Sequence, residues 1–351
     1  MSMEELEYFG EDSSEDLSYS DLDSFPDFLT ENGRPEDLRS LQLDHNEITV
    51  LPRAIGLFSN LICLDISNNG MTYISPDIIH LKQLRTLTAR NNKFNCDSLP
   101  KEIAALTSLQ VVNFSGNQFK DFPEQLTYLT ELKSLYLGGN NLVSIPREIG
   151  RLERLEILYL GGNRLQSLPE EVGYLSRLTA LVLCDNRLQS LPSSLVNLRR
   201  LQSLSLHNNQ LSTLPPEIVG FDLVELSLRN NPLVVRFVND IVYNPPSLLE
   251  LAGRCIKTKR VVYTNEELPF NLIQYLDSAH QCVNPKCNGV YFTSRVEHVK
   301  FVDFCGKYRL PLLQYLCSPN CTPSSPIVCA SSDSESDDEG PVSRMKKVLL
   351  G

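Results

Sequence analysis

One asparagine, set in the pattern L-x-x-L-x-L-x-x-N-x-L, returns at positions 46, 69, 92, 117, 140, 163, 186, 209 and 231, in steps of 23, 23, 25, 23, 23, 23, 23 and 22 residues. Such a unit is too small to fold alone, so each copy must bury its apolar face against the next. The copies run from LRSLQLDHNEI at Leu38 through LKSLYLGGNNL at Leu132 to LVELSLRNNPL at Leu223. Leucines two residues apart face one side of a short strand, successive strands add edge to edge, and the asparagine amide satisfies backbone groups at the turn. The second halves, such as SIPREIGRLER and SLPEEVGYLSR, place a proline after an apolar residue and then a loose helical turn on the outer side.

Pattern and period resemble the intracellular 23-residue class of leucine-rich repeats, over residues 38 to 236. The resemblance implies an α/β repeat solenoid, a leucine-rich-repeat horseshoe of about nine repeats that binds proteins on its concave, strand-lined face. Neighbouring strands there lie about 4.8 Å apart, so side chains at equivalent positions form rows. Tyr136 and Tyr159 are expected to stack, each beside a Gly-Gly pair that leaves room for a partner. Cys184, Asp185, His207 and Arg229 flank them, and Arg90 lies further along the same rows. Aromatic residues and arginine are the usual anchors of interfaces. The Gly-Gly-Asn text equally suits a plain turn. It is not a phosphate loop, because no G-x-x-x-x-G-K-[ST] occurs. No nucleophile, base and orienting residue assemble from the motifs, so an enzyme is not expected.

Charge is uneven. Residues 1 to 33 hold eleven Asp and Glu and no Lys or Arg, which equals the whole net charge of -11, while residues 34 to 330 hold 27 acidic and 29 basic side chains. No basic face for nucleic acid follows from that balance. No apolar run reaches the roughly 20 residues of a membrane span, and the acidic start lacks the features of a signal peptide. The cytoplasm, with the nucleus as a second location, is the expected compartment. There the ten cysteines serve as thiols or metal ligands rather than disulfides. The sequon at Asn113 then carries no glycan.

Behind the repeats, residues 237 to 277 hold two amphipathic helices. SLLELAGRCI begins with Ser247 and Glu250 at capping-box spacing, and Leu248, Ala252 and Ile256 recur every four residues. LPFNLIQYL places Leu272, Tyr275 and Leu276 on one side after Leu268 and Pro269. The first stretch resembles the elongin-binding box of cullin-RING ubiquitin-ligase receptors, and the second resembles a cullin box with features of both the cullin-2 and cullin-5 forms. The resemblance implies that Leu248 enters a pocket on elongin C, that small Ala252 allows close helix approach, and that Pro269 and Leu272 help select the cullin. Elongin B and elongin C with a cullin are then the partners, and the protein substrate is unnamed. The family prefers Cys where Ala252 stands, and the register that uses Cys255 puts Lys259 at an apolar position. The same helices also suit a plain cap on the solenoid end.

In residues 278 to 322, Cys282 and Cys287 form one pair and Cys317 and Cys321 another, with Cys305 in reserve. Paired thiolates fit a structural zinc, which would supply folding energy to a module with little core, or they are buried thiols. NPLVVRF, NPKCNGVYF, KFVDFCGKYRLPLLQYLCSP and terminal KVLLG together resemble one intracellular leucine-rich-repeat family with this elongin- and cullin-box-like C-terminal region. Residues 1 to 33 read as an acidic, mostly disordered lead whose last part, near Phe25 to Leu29, caps the first repeat. Residues 323 to 351 read as a disordered tail in which Ser334 and Ser336 precede acids at a spacing that resembles acid-directed kinase sites.

Overall fold

The computed structural model describes residues 13–31, 33–221, 223–233, 245–264, 267–284, 287–304, 308–319, 321 and 347–349, with the side chains at 217, 219, 299–310 and 347–349 left out of the description. Cys305, Ser334 and Ser336 lie outside the described residues. The described residues group into two compact units, the repeat array and a C-terminal module. None of their helices is long and apolar enough to cross a membrane.

The array is built on three-residue strands: β1 (Ser14–Asp16), β2 (Ser40–Gln42), β3 (Cys63–Asp65), β4 (Thr86–Thr88), β5 (Val111–Asn113), β6 (Ser134–Tyr136), β7 (Ile157–Tyr159), β8 (Ala180–Val182), β9 (Ser203–Ser205) and β10 (Glu225–Ser227). They pair in parallel and in chain order, an open leucine-rich-repeat solenoid. From β2 to β10 the central residue of each strand, Leu41 through Leu226, is at most 1% exposed, and it alternates with neighbours that face the concave side. The convex halves are 3-10 turns rather than α-helix. Pro146, for example, stands at the N-cap of Arg147–Arg151, Ile149 points inward, and the Leu152 amide closes the turn on the Ile149 carbonyl.

Each ladder asparagine ties two repeats together. Asn163 Nδ2 donates to the carbonyls of Leu137 and Leu160, both at 2.9 Å, and its Oδ1 accepts from the Leu142 amide at 3.0 Å. The residue before each of the nine asparagines has a left-handed backbone: His45, Asn68, Asn91, Gly116, Gly139, Gly162, Asp185, Asn208 and Asn230, with φ between 51° and 69°. Glycine, Asn and Asp tolerate that region best. The 25-residue step does not break the register. Its two extra residues sit in an added 3-10 turn, Cys96–Ser98, closed by a capping box with Asn95, while Thr88 still pairs with Asn113.

The module contains α2 (Leu248–Thr258) and α3 (Phe270–Asp277), which follow a four-residue α1 (Phe28–Glu31) in the lead. A two-residue ribbon, β11 (His280–Gln281) with β12 (Val290–Tyr291), and a hairpin, β13 (Val296–Phe304) with β14 (Tyr308–Leu316), complete it. Leu276, Val290 and Phe292 form one small core, against which Ile256, Tyr263, Leu268, Tyr275 and Ala279 pack. Gly253 on α2 lets the Phe292 ring come close, and Tyr275 stacks on that ring at 4.4 Å.

The described parts of the lead and the tail, both expected to be mostly disordered, join the sheet instead. Ser14–Asp16 extends the sheet, and the segment behind it copies a repeat. The Leu22 amide donates to Asn46 Oδ1 at 3.0 Å, the bond that Ile48 makes to Asn69, so Ser20 stands where a ladder asparagine would be. Tyr19 (φ 55°) takes the left-handed place. Phe25 and Leu29 are buried, and Phe25 meets Phe58 edge-on, as expected of a cap. Near the other end β15 (Lys347–Leu349) pairs in parallel with β10.

Candidate functional site

Three surfaces hold the residues of interest, and the concave face is the first. Tyr136 and Tyr159 come side by side but are tilted rather than stacked, with ring centroids 6.2 Å apart and planes at 37°. The glycines beside them have two separate jobs. Gly139 and Gly162 take the left-handed turn (φ 63° and 69°), whereas a side chain on Gly138 would run into the Tyr159 ring. At Gly161 a Cβ would meet Cys184 Sγ at 2.8 Å. The space expected for a partner is therefore filled by Tyr159 and Cys184 themselves, and Tyr159 remains 36% exposed.

Cys184, Asp185 and His207 converge, with their ligand atoms within 4.8 Å of one another. His207 Nε2 faces Asp185 at 3.9 Å, and its Nδ1 sits 3.0 Å from Ser205 Oγ and 3.2 Å from Ser227 Oγ. Burial pushes the Cys184 thiol up to about 11, and Asp185 adds to the effect, so it stays protonated at neutral pH. Arg229 is exposed just past the neighbouring strand β10, and Arg90 is exposed just past β4, two strands away from that of Tyr136. The first strands add an acidic corner that sequence reasoning missed. Ser18 Oγ donates to Asp44 at 2.6 Å, His45 contacts Asp44 at 2.7 Å, and Tyr19 stacks on His45 at 4.1 Å. Only the copied repeat in the lead brings Ser18 and Tyr19 there.

Substituting Gly138 by alanine should displace the Tyr159 ring, at a stability cost of about 1–2 kcal/mol from overpacking. Recovery of concave-face partners from cell extract should fall severalfold. A melting transition that shifts while partner recovery stays at the wild-type level would show that Tyr159 takes no part in binding a partner.

Helix α2 has two unlike sides. Leu248 is 85% exposed, and Leu251, Ala252 and Cys255 share its stripe by helical spacing and are exposed too. The opposite side is fixed by a buried ion pair. Glu250, 1% exposed, accepts from the amides of Phe292 (3.1 Å) and Ser294 (2.9 Å), from Thr293 Oγ1 (2.9 Å) and from Arg254 (2.6 Å). Arg254 also donates to the carbonyls of Ser294 and, at 2.6 Å, Cys317. Burial alone would raise the Glu250 pKa, but these donors outweigh it and hold the carboxyl down to about 2. The capping box is therefore half made. Ser247 Oγ accepts from the Glu250 amide at 3.2 Å, while the Glu250 side chain turns inward to the 292–294 loop.

The box residues divide accordingly. Leu248, Ala252 and Pro269 are exposed, and Leu272 is half-buried. Ile256, Leu268, Tyr275 and Leu276, expected to face a partner, instead pack in the module's own core, because α3 lies against Phe292. Phe270, 74% exposed, and Leu251 were not expected. Leu251 could have been read from the i, i+3, i+7 stripe with Leu248 and Cys255.

The four cysteines Cys282, Cys287, Cys317 and Cys321 come together, their sulfurs within 4.8 Å of one another. Two connections that sequence reasoning missed support them. The Gly289 amide donates to Cys287 Sγ, and Asn284 Nδ2 donates to Cys321 Sγ, each at 3.3 Å.

A family model described as "Leucine-rich repeat region" matches residues 29–140 and 124–214. The chain is similar to leucine-rich repeat-containing protein 58 of Xenopus tropicalis, 51% identical over 350 residues that cover 99% of this chain and 100% of that one. It is likewise similar to the protein of that name in Homo sapiens, 64% identical over 293 residues, 82% of this chain and 79% of that one. Among solved structures, an Arabidopsis receptor kinase in complex with a peptide hormone and a co-receptor has a TM-score of 0.55 at 28% identity. That match covers 62% of this chain and 38% of the receptor.

Proposed function

The chain belongs to the leucine-rich repeat-containing protein 58 family, a family of protein-binding repeat proteins, and from that premise we propose that it is the substrate-recognition subunit of an elongin BC–cullin ubiquitin ligase. The concave face takes the protein substrate, and the exposed stripe of α2 takes elongin C. The chain brings proteins together in the cytosol or nucleus and performs no chemistry of its own. The observation that carries the proposal is the contrast across α2. An apolar stripe headed by Leu248 faces solvent while a buried Glu250–Arg254 pair fixes the other side, so the helix offers the stripe without rearrangement.

A second reading, a leucine-rich-repeat signalling scaffold with the helices serving only as a cap, is favoured by one observation. Much of the cullin-box text, Leu268, Tyr275 and Leu276, goes into the module's own core.

Affinity purification of the wild type and of Leu248→Asp from cells separates the two. A charge in place of a central apolar anchor should lower elongin B and C recovery about tenfold or more. Wild-type protein that carries no elongin would sink the ligase reading, and undiminished recovery with Leu248→Asp would remove that residue from the contact. Which of cullin-2 and cullin-5 accompanies elongin is read from the same samples.

A further inference from the structure

We propose that Cys282, Cys287, Cys317 and Cys321 bind one structural zinc ion, and that this ion fixes the strand end from which α2 is held. Cys282 and Cys287 precede β12 and Cys317 and Cys321 follow β14, some 30 positions on, so their meeting is tertiary and not an accident of local spacing. Cys282 and Cys321 Sγ are 3.5 Å apart, as are Cys287 and Cys317 Sγ. A disulfide requires about 2.05 Å. Tetrahedral thiolate around zinc, with bonds of about 2.3 Å, places sulfurs roughly 3.8 Å apart, close to what these pairs adopt.

Two N–H donors, from Gly289 and Asn284, point at sulfurs. A Cβ on Gly289 would lie 2.7 Å from Cys317 Sγ and 2.9 Å from Cys287 Sγ, so the backbone passes the cluster at a distance only glycine allows. Backbone amides of this kind are the usual partners of metal-bound sulfur.

The core makes the need for a metal concrete. Among the described residues its buried members are Val296, Leu316, Cys317 and Cys321, with Cys282 and Cys287 packed against them. Four of these six residues are cysteines, so much of what packs here is sulfur, and a structural metal would contribute folding free energy outright. Binding exchanges the protons of four thiols for one Zn2+ and leaves a dianionic centre. The Arg254 guanidinium donates to the Cys317 carbonyl at 2.6 Å, which ties the cluster to α2. With all four positions taken by sulfur no site remains for water, so the ion is structural. Through Arg254, loss of the ion loosens the hold on α2.

The full chain, purified without chelator and without added metal, should contain about one zinc per molecule by mass spectrometry of the elements. A mercurial titration should release it as four thiols react, and cobalt in its place should give tetrahedral tetrathiolate absorption. The double substitution Cys282→Ser, Cys321→Ser should lose the metal, and Cys255→Ser should keep it. Less than one-fifth equivalent of zinc in the wild type, iron in its place, a Cys282–Cys321 or Cys287–Cys317 disulfide, or full zinc in the double variant would each overturn the proposal. Should the double variant aggregate, the wild-type metal content and cobalt spectrum still decide it.

Discussion

Replacing Glu250 by alanine should destabilise the C-terminal module by about 3–5 kcal/mol, the scale on which one partner of a buried pair is lost. Arg254 would be left as a half-buried charge without its carboxylate, and the amides of Phe292 and Ser294 would lose their acceptor. Hydrogen exchange should accelerate in Leu248–Thr258 and around 292–294, while the solenoid strands stay protected.

The same carboxyl predicts a pH dependence. Its native pKa lies near 2 against an ordinary 4.5, so as pH falls below about 5 the unfolded chain takes up the proton first. The pair contributes about 3 kcal/mol at neutral pH, and this is lost progressively down to about pH 2. Protonation of metal-bound thiolates would add an acid-sensitive loss of its own. Comparison with Glu250→Gln, which lacks the titration but keeps the thiols, isolates the carboxyl. Parallel acid profiles for the two proteins would contradict this account.

Asn163→Ala should cost the array about 3–5 kcal/mol, because three backbone groups, the carbonyls of Leu137 and Leu160 and the amide of Leu142, lose a buried partner together. Asn231, half-buried in the last repeat, makes bonds of the same kind, to Leu206 and Leu228. Its replacement should cost less, since water reaches those groups. Urea unfolding of both variants measures the difference, and equal losses would mean that burial does not set the worth of the ladder.

The solenoid was legible because its signal repeats: leucine at period two and asparagine every 23 residues force one answer. The left-handed ladder was less visible, since His45, Asn68, Gly139 and Asp185 share no chemistry, only tolerance of positive φ. The opening strand was hidden for a related reason. Its text, SEDLSYS, carries Glu15 where the other strands carry leucine or valine, and Ser20 where they carry asparagine. In α2 the period revealed one stripe, Leu248, Ala252 and Ile256, but not that the side with Glu250 and Arg254 turns inward and takes Ile256 with it. That choice depends on Glu250 and Arg254 meeting residues 292–294, some 40 positions away. The cysteine quartet was legible from residue type and spacing, whereas Gly289 and Asn284 became visible only once the turns met.

A parallel sheet that stops leaves a row of unsatisfied amides and carbonyls at each side, an invitation to any other strand. Among the described residues the outermost strands are only three residues long and come from segments that read as appendages, and the exposed β1 carries two carboxylates, Glu15 and Asp16. Short, charged margins of this sort discourage pairing between molecules. A fragment trimmed to the regular repeats would present β2 and β10 as bare margins, and its copies would be free to join end to end. The acidic lead and the last few residues thereby bear on whether the molecule stays single in solution.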